Sequence, residues 1–416
     1  MTKRLIIFTR FPVPGKTKTR LIPGLGNVAA AELQREMTEH AVQQGRICGA
    51  AIEIRYTDGS QEQMHDWLGD DLAYVDQGEG NLGDRMQRAF ADAFAAGWRN
   101  VVLMGSDCPS NEWQNLRVAF KMLETDSLVI GPASDGGYYL IGLNHPVPRL
   151  FEQIEWGGDQ VFQQTLRAAE NVSVHRLPEL HDVDLPEDIP PKISVVVPTR
   201  NEEAHLFQTL EKVRAGFNVE IIVVDGGSTD GTRTIFPDML ACEGGRAAQQ
   251  NFGVIHAKGA LLLFLHADTE LPDGWDWIIR KTLSDSSIVL GAFSFKIREP
   301  FRGRRWIEAA TNYRSKVWKK PYGDQGLFMR AADFDQAGGF PLQPIMEDYA
   351  LVQTFRKQGL VVTVPEEAIT SGRRWLQHGV LKVTLINQLM ILGYTLGISP
   401  ERLAQCYRGR RSCREK

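Results

Sequence analysis

Short apolar runs alternate with longer stretches of helical periodicity along the whole chain. RLIIF (4–8), AIEIRY (51–56), VVLM (101–104), SLVIG (127–131) and YYLIGL (138–143) are apolar and rich in β-branched or aromatic residues, and they read as strands. Between them AAAELQREMTEHAVQQ (29–44) and LGDRMQRAFADAFAAG (82–97) carry apolar residues at helical spacing. Alternating strand and helix implies a mainly parallel sheet covered by helices on both faces. The rhythm breaks at Pro186, Pro190 and Pro191 and restarts with a β-branched strand at Ile193. The expected join lies near 189–192, giving domains 1–190 and 191–416. The second half repeats the alternation: ISVVVP (193–198) as a strand, EEAHLFQTLEKV (202–213) as a helix, EIIVVDGG (220–227) and LLLFLHAD (261–268) as strands.

Two of these runs end alike. VVLMGSDCP places Asp107 after an apolar stretch, and LLLFLHADTELP places Asp268 there, each followed by a proline. The two carboxylates read as one position in two copies of a single design. In an open α/β sheet ligands bind beyond the carboxyl ends of the strands. The polar clusters gather at such ends: Thr199–Glu202, Asp225–Asp230, His266–Asp268, Thr9–Arg20 and Ser106–Pro109.

The length of 416 residues exceeds one ordinary core and agrees with two domains. Composition is that of a globular protein, 43% hydrophobic and 24% charged, which excludes disordered and collagen-like classes. A net charge of -4 argues against a nucleic-acid partner. Five scattered cysteines without a CxxC pair point to a reducing compartment. MTKRLIIFTRF is too short an apolar stretch for a signal peptide, so the expectation is a cytoplasmic enzyme. VLKVTLINQLMILGYTLGI (380–398) is apolar, but Lys382, Asn387 and Gln388 disfavour a membrane span. It is followed by ERLAQCYRGRRSCREK, with six Arg/Lys against two Glu. Two readings stand: a core-packing helix with a solvated tail, or peripheral attachment to the inner face of an anionic membrane.

Carboxylates at several strand ends converge on one crevice: Asp225, Asp268 and the pair Glu347–Asp348. A nucleoside diphosphate is a dense anion, and carboxylates beside it call for a bridging Mg²⁺ or Mn²⁺. Asp268 suits that cation, Asp225 a base or ribose, and the third carboxylate could deprotonate an acceptor hydroxyl. Asp225 also suits a helix cap, since GGSTDGT follows it. Arg373, Arg374 and Trp375 could bind phosphate and stack on a sugar, or open an amphipathic helix.

The motifs PTRNEE (198–203), VVDGGSTDGT (223–232), GGRAAQQNFG (244–253), FLHADTELP (264–272), GDQGLFMR (323–330) and IMEDYAL (345–351) together resemble the family 2 glycosyltransferases of the GT-A fold. Within that family the pattern SGRRWLQHGVL…NQLMILGYTLGISPERLAQCYR is similar to the selenodomain-associated, arsenosugar-biosynthesis type 2 group. The resemblance implies an inverting transferase that takes a sugar from a nucleotide-diphosphate donor to a small-molecule or lipid acceptor. It implies Thr199, Asn201, Glu202, Asp225, Arg246, Gln325, Arg374 and Trp375 as donor-binding residues, Asp268 as metal ligand, and Asp348 as general base beside Glu347. The chain departs from the family at His266-Ala-Asp268, where many members carry Asp-x-Asp. Histidine is a poorer ligand for Mg²⁺ than for Mn²⁺.

In the first half, FTRFPVPGKTKTRL (8–21) sets Arg10, Lys16, Lys18 and Arg20 around a glycine, a sensible phosphate cradle although no GxxxxGK[ST] is present. With GSDCPS (105–110), SDGGYYLIGL (134–143), EWGGDQVFQQTL (155–166) and HDVDLPEDI (181–189), it resembles the nucleotidyltransferase-like, radical-SAM/selenodomain-associated transferase type 1 group. That resemblance implies Arg10, Lys18 and Arg20 on phosphates, Asp107 on a divalent metal with Asp182 or Asp184, and Asp135 on the acceptor side. The whole chain then reads as two tandem GT-A, Rossmann-like α/β domains. Either both halves turn over, or only the second is catalytic and the first is a nucleotide-binding or regulatory module.

Overall fold

A computed structural model describes residues 3–412; the end of the basic tail and Cys413 lie outside the described residues, and side chains are described only to Tyr407. The chain forms two compact units, Met1–Pro190 and Pro191–Lys416.

The first unit is built on a seven-stranded sheet of β1 (Lys3–Arg10), β2 (Ala51–Thr57), β3 (Ala73–Asp76), β4 (Asn100–Gly105), β5 (Leu128–Pro132), β6 (Tyr138–Leu143) and β7 (Val174–Arg176). Their order is β3-β2-β1-β4-β6-β5-β7. All pairings are parallel except those of β6, which runs against both β4 and β5. Buried residues alternate between the faces of β1: Leu5 and Ile7 enter one core cluster with Phe120, and Ile6 and Phe8 enter the other with Phe90. Both faces are therefore covered, as a parallel sheet requires.

The second unit holds eight strands: β8 (Ile193–Thr199), β9 (Val219–Asp225), β10 (Leu240–Ala241), β11 (Leu261–Phe264), β12 (Thr269–Glu270), β13 (Ile288–Ile297), β14 (Leu327–Arg330) and β15 (Leu360–Thr370). Their order is β10-β9-β8-β11-β14-β13-β15-β12. The β8–β9, β8–β11 and β9–β10 pairs are parallel, and β14 is antiparallel to β11 and β13. Up to the sixth strand this is the plan of the first sheet: third, second, first and fourth strands in parallel, then an antiparallel strand. In each unit the order reverses beside the first strand, between β1 and β4 and between β8 and β11. That switch point is where a crevice opens at the carboxyl ends. Asp107 and Asp268 both lie just past it.

The apolar run before Asp268 is shorter as a strand than its sequence reads. The strand ends at Phe264, and Leu265–Asp268 lead into a turn closed by Thr269 N–H donating to the His266 carbonyl at 3.1 Å. The C-terminal helix Val380–Thr395 does not pack as a core helix. Only Val383 and Gly393 of it are buried, while Leu381, Leu385, Leu389 and Leu392 are exposed. Among the described residues no helix is long and apolar enough to cross a membrane.

Candidate active site

In the second unit, β8 delivers Thr199 to the crevice floor, buried, with an Oγ1 that has no partner among the described residues. Asn201 follows in a left-handed conformation (φ 56°), which asparagine tolerates. Its backbone N–H donates to Ser228 Oγ at 2.9 Å, and its Oδ1 accepts from Thr229 N–H at 2.8 Å. Asp225, at the end of β9, is buried and already committed. It accepts from the N–H groups of Gly227 and Ser228, and from Arg233 Nε at 2.8 Å. Burial alone would raise its pKa, but the bonds from Ser228 and Arg233 outweigh burial and hold it below the ordinary 3.8. Asp225 therefore shapes the 226–233 loop; it does not cap the short helix Thr232–Ile235, whose N-cap position is Gly231.

Past β11, Asp268 meets Arg373 Nη2 at 3.2 Å. Arg373 also grips Glu202 with two donors, joining the first and fourth strand ends of the parallel set through one guanidinium. The neighbouring residues of that segment turn elsewhere. Arg374 reaches Asn387 Oδ1 at 3.4 Å and lies 4.8 Å over the Tyr407 ring. Trp375 packs edge-on to Phe295, 6.2 Å between centroids. Gln325 is fully buried beneath the crevice, donating to the Phe293 carbonyl at 2.9 Å and Ser315 Oγ at 3.1 Å.

The far wall is acidic. Glu347 and Asp348 open the helix Glu347–Gln358. Asp348 is aimed by two backbone donors, Gly323 N–H to Oδ2 at 2.8 Å and Tyr349 N–H to Oδ1 at 2.7 Å. Glu347 is buried and 3.6 Å from Arg246 Nη1. Burial, then Asp348, raises its pKa above 4.5, and Arg246 acts against both. Asp324, absent from the sequence-level candidates, completes the cluster. Burial lifts its pKa to about 6, with Asp348 and Asp268 adding to the rise and Arg314 and Arg246 opposing it. Its Oδ1 is buried without a partner among the described residues.

His266 stands against this group. Its ring Nε2 also has no partner among the described residues. Burial, reinforced by Arg246 and Arg373, holds its pKa well below 6.5, so it is neutral at neutral pH. Gly323 lines the space: a Cβ there would lie 3.0 Å from His266 Nε2 and 3.3 Å from Asp348 Oδ2. A neutral imidazole with a free nitrogen among crowded carboxylates is a donor set that fits a divalent cation. Among the described residues, no three His, Cys, Asp or Glu side chains are grouped to hold an ion by themselves. The remaining ligands would have to come from the bound anion.

In the first unit the predicted residues also meet at the switch point. Lys18, in a left-handed conformation (φ 49°), donates to the Val183 carbonyl at 2.6 Å and lies 3.3 Å from Asp107 and 3.4 Å from Asp184. Arg20 pairs with Asp184 at 2.7 Å. The two carboxylates read as metal ligands thus share a buried ammonium, which puts Lys18 between them rather than on a phosphate. Arg10 and Lys16 are exposed, and exposed Asp135 accepts from Gly137 N–H at 2.8 Å. Asp182 is half-buried; burial, then Asp135 and Asp184, raises its pKa above 3.8. Beneath lies a buried polar knot in which Gln34 Nε2 has three hydroxyl oxygens within reach, Ser106 Oγ at 2.9 Å, Thr38 Oγ1 at 3.1 Å and Thr9 Oγ1 at 3.2 Å; the sequence singled out Thr9 and Ser106 but not Gln34 or Thr38. The knot ties β1 to β4.

Comparison with known proteins matches the two halves of the chain to different families. Residues 41–158 match the family "Uncharacterized protein conserved in bacteria (DUF2064)", and residues 194–335 match "Glycosyl transferase family 2". A curated relative, the undecaprenyl-phosphate 4-deoxy-4-formamido-L-arabinose transferase of Aeromonas hydrophila, is 36% identical over 97 residues, 19% of this chain and 30% of that protein. The chain thus spans under a third of the curated relative it matches. Among solved structures, a candidate nucleotide-diphospho-sugar transferase from Desulfovibrio desulfuricans G20 is 36% identical, with a TM-score of 0.43, over 44% of this chain and 84% of that one. The mannosyltransferase PcManGT of Pyrobaculum calidifontis, solved with GDP-Man and Mn²⁺, is 23% identical with a TM-score of 0.35, over 44% and 57%. Radical-SAM and selenodomain associations do not figure in these matches. The second unit is thus similar to family 2 glycosyltransferases over residues 194–335, on a mostly parallel α/β sheet.

Proposed function

We propose that the second unit transfers a sugar from a nucleoside-diphosphate donor to a small-molecule or lipid acceptor with inversion, in an arsenosugar-type or related biosynthetic route. The observation that carries this reading is the meeting of Asp268, His266, Asp324, Glu347 and Asp348 with Arg246 and Arg373 at one switch point. The donor's nucleoside lies toward Thr199, Asn201 and the loop shaped by Asp225. Arg246 and Arg373 face the diphosphate, with Arg373 leaving Glu202 to do so. Asp268, with His266 beside it, would hold Mg²⁺ or Mn²⁺, which supplies charge neutralisation to the departing diphosphate. Asp348 then accepts the acceptor's hydroxyl proton as its oxygen attacks the anomeric carbon. The bond from that carbon to the phosphate oxygen breaks, and its electron pair leaves with the nucleoside diphosphate. Fixed by two backbone N–H groups, Asp348 is the better-aimed base of the pair; Glu347 buffers it. Arg374, Trp375 and Gln325 support the site's walls.

For the first unit, nucleotide or sugar-phosphate handling remains our reading, with exposed Arg10 turning to phosphate and Arg20 leaving Asp184 to do so. The ammonium of Lys18 between Asp107 and Asp184 favours a second reading, in which this unit binds or regulates without turnover.

Release of nucleoside diphosphate from UDP-, GDP- and dTDP-sugars with Mn²⁺ tests the proposal. Asp348→Asn should abolish turnover while donor binding persists, and Asp268→Asn should weaken both. Normal turnover by Asp348→Asn would remove the assigned base. If Asp107→Ala leaves every activity unchanged, the two-enzyme reading of the chain fails.

A further inference from the structure

Two helices of the second unit expose apolar stripes that no part of the chain's described core covers. On Val380–Thr395 and the residue after it, Leu381, Leu385, Leu389, Leu392 and Leu396 are between 42% and 86% exposed. At helical spacing they fall within roughly 80° of arc. On Arg304–Trp318, the exposed residues Trp306, Tyr313 and Val317 fall within roughly 40°. The two helices begin side by side: a Cβ on Gly303 would lie 3.6 Å from Val380 Cγ1. Exposed Arg302, Arg305, Lys316 and Lys319 flank the aromatic stripe, and Lys382 the leucine one. From 298 to 320 the only acids are Glu299 and Glu308, and both are engaged: Glu299 accepts from Ser371 Oγ, Glu308 from Ile297 N–H.

We propose that this face seats on an anionic phospholipid bilayer, the leucine and aromatic stripes entering the interface and the flanking cations meeting the headgroups. Tryptophan and tyrosine beside lysine and arginine on Arg304–Trp318 suit an interfacial helix lying in the membrane plane, and the exposed leucines of Val380–Thr395 add apolar area beside it. The charge pattern separates this occupant from a second copy of the chain. A two-fold contact through this face would set its cations against themselves. The inference goes beyond sugar transfer and does not depend on it, although Arg314, on the aromatic helix, lies over the ring of Tyr322 at 3.4 Å, one residue from the crevice glycine. An acceptor carried by the bilayer would then arrive at the crevice's edge.

The test is flotation of the full chain with phosphatidylcholine vesicles with and without phosphatidylglycerol, at low and high salt. Wild type should float with the anionic vesicles and be released by salt. Leu385→Asn/Leu392→Asn, and separately Trp306→Ser, should cut bound protein by about tenfold with an unchanged thermal melt, because these side chains are already exposed. Failure of wild type to float, or equal flotation by the variants, overturns the proposal. So does a dimer, seen by light scattering without vesicle binding, that the double leucine variant converts to monomer.

Discussion

Gly323→Ala is a small change aimed at the centre of the proposed site. Gly323 is not in a left-handed conformation, so alanine suits its backbone, and its N–H would still reach Asp348. The added methyl would sit 3.0 Å from His266 Nε2 and 3.3 Å from Asp348 Oδ2. Contacts that tight must open by a few tenths of an ångström, displacing the imidazole or the carboxylate. A misplacement of about 1 Å can cost roughly 100-fold. A displacement of a few tenths should then lower kcat/KM by about tenfold, close to 1.4 kcal/mol of barrier. Stability should change little, because the overpacking cost of about 1 kcal/mol is offset by the reduced freedom of the unfolded chain. Donor-cleavage kinetics paired with thermal melts read both terms. A variant with wild-type kcat/KM and an unchanged Tm would show that the reacting groups do not meet between His266 and Asp348.

Arg246 favours the ionised forms of Glu347 and Asp324, so Arg246→Gln should raise their pKa values, as followed by their carboxyl NMR shifts against pH; unmoved values contradict the assignment. The pKa of Asp225 is depressed in the fold, so its stabilising contribution is present above 3.8 and fades as pH falls through the lower folded value. The stability gap between wild type and Asp225→Asn should thus be constant through neutral pH and close only in acid, as followed by denaturant melts at several pH values. In the first unit, Arg55 is 2% exposed and bonded to Glu53 and Asp92. Glu53→Ala strands much of that buried charge and should cost about 3 kcal/mol in chemical denaturation; a loss under about 1 kcal/mol would contradict this.

Much of the fold follows from local pattern. The strand at 138–143 coincides with its apolar run, and the helix at 82–95 follows its capping box, with Asn81 accepting from Asp84 N–H. The edge strands Ala73–Asp76 and Val174–Arg176 are only four and three residues long, too short to set up a strand period that stands out from the flanking loops. The reversed direction of β6 and β14 depends on pairing across the sheet, which no local pattern reports. At the site, carboxylates at strand ends were legible as a class. Which of the adjacent Arg373 and Arg374 faces Asp268 is decided by helix phase, and the answer is Arg373. Asp324 was hidden inside GDQG because its importance lies in its neighbours, Asp268 and Asp348, both distant in sequence. Gln325 beside it drew attention through its motif, yet it serves as a buried post.

The central claim is that the crevice around Asp268 holds the donor. Calorimetric titration of the nucleotide-sugar panel with Mn²⁺ into the full chain tests it directly. At least one donor should bind wild type and Asp107→Asn alike, and Asp268→Asn should weaken that binding by about tenfold or more. Equal binding by Asp268→Asn, or binding lost only in Asp107→Asn, would contradict it.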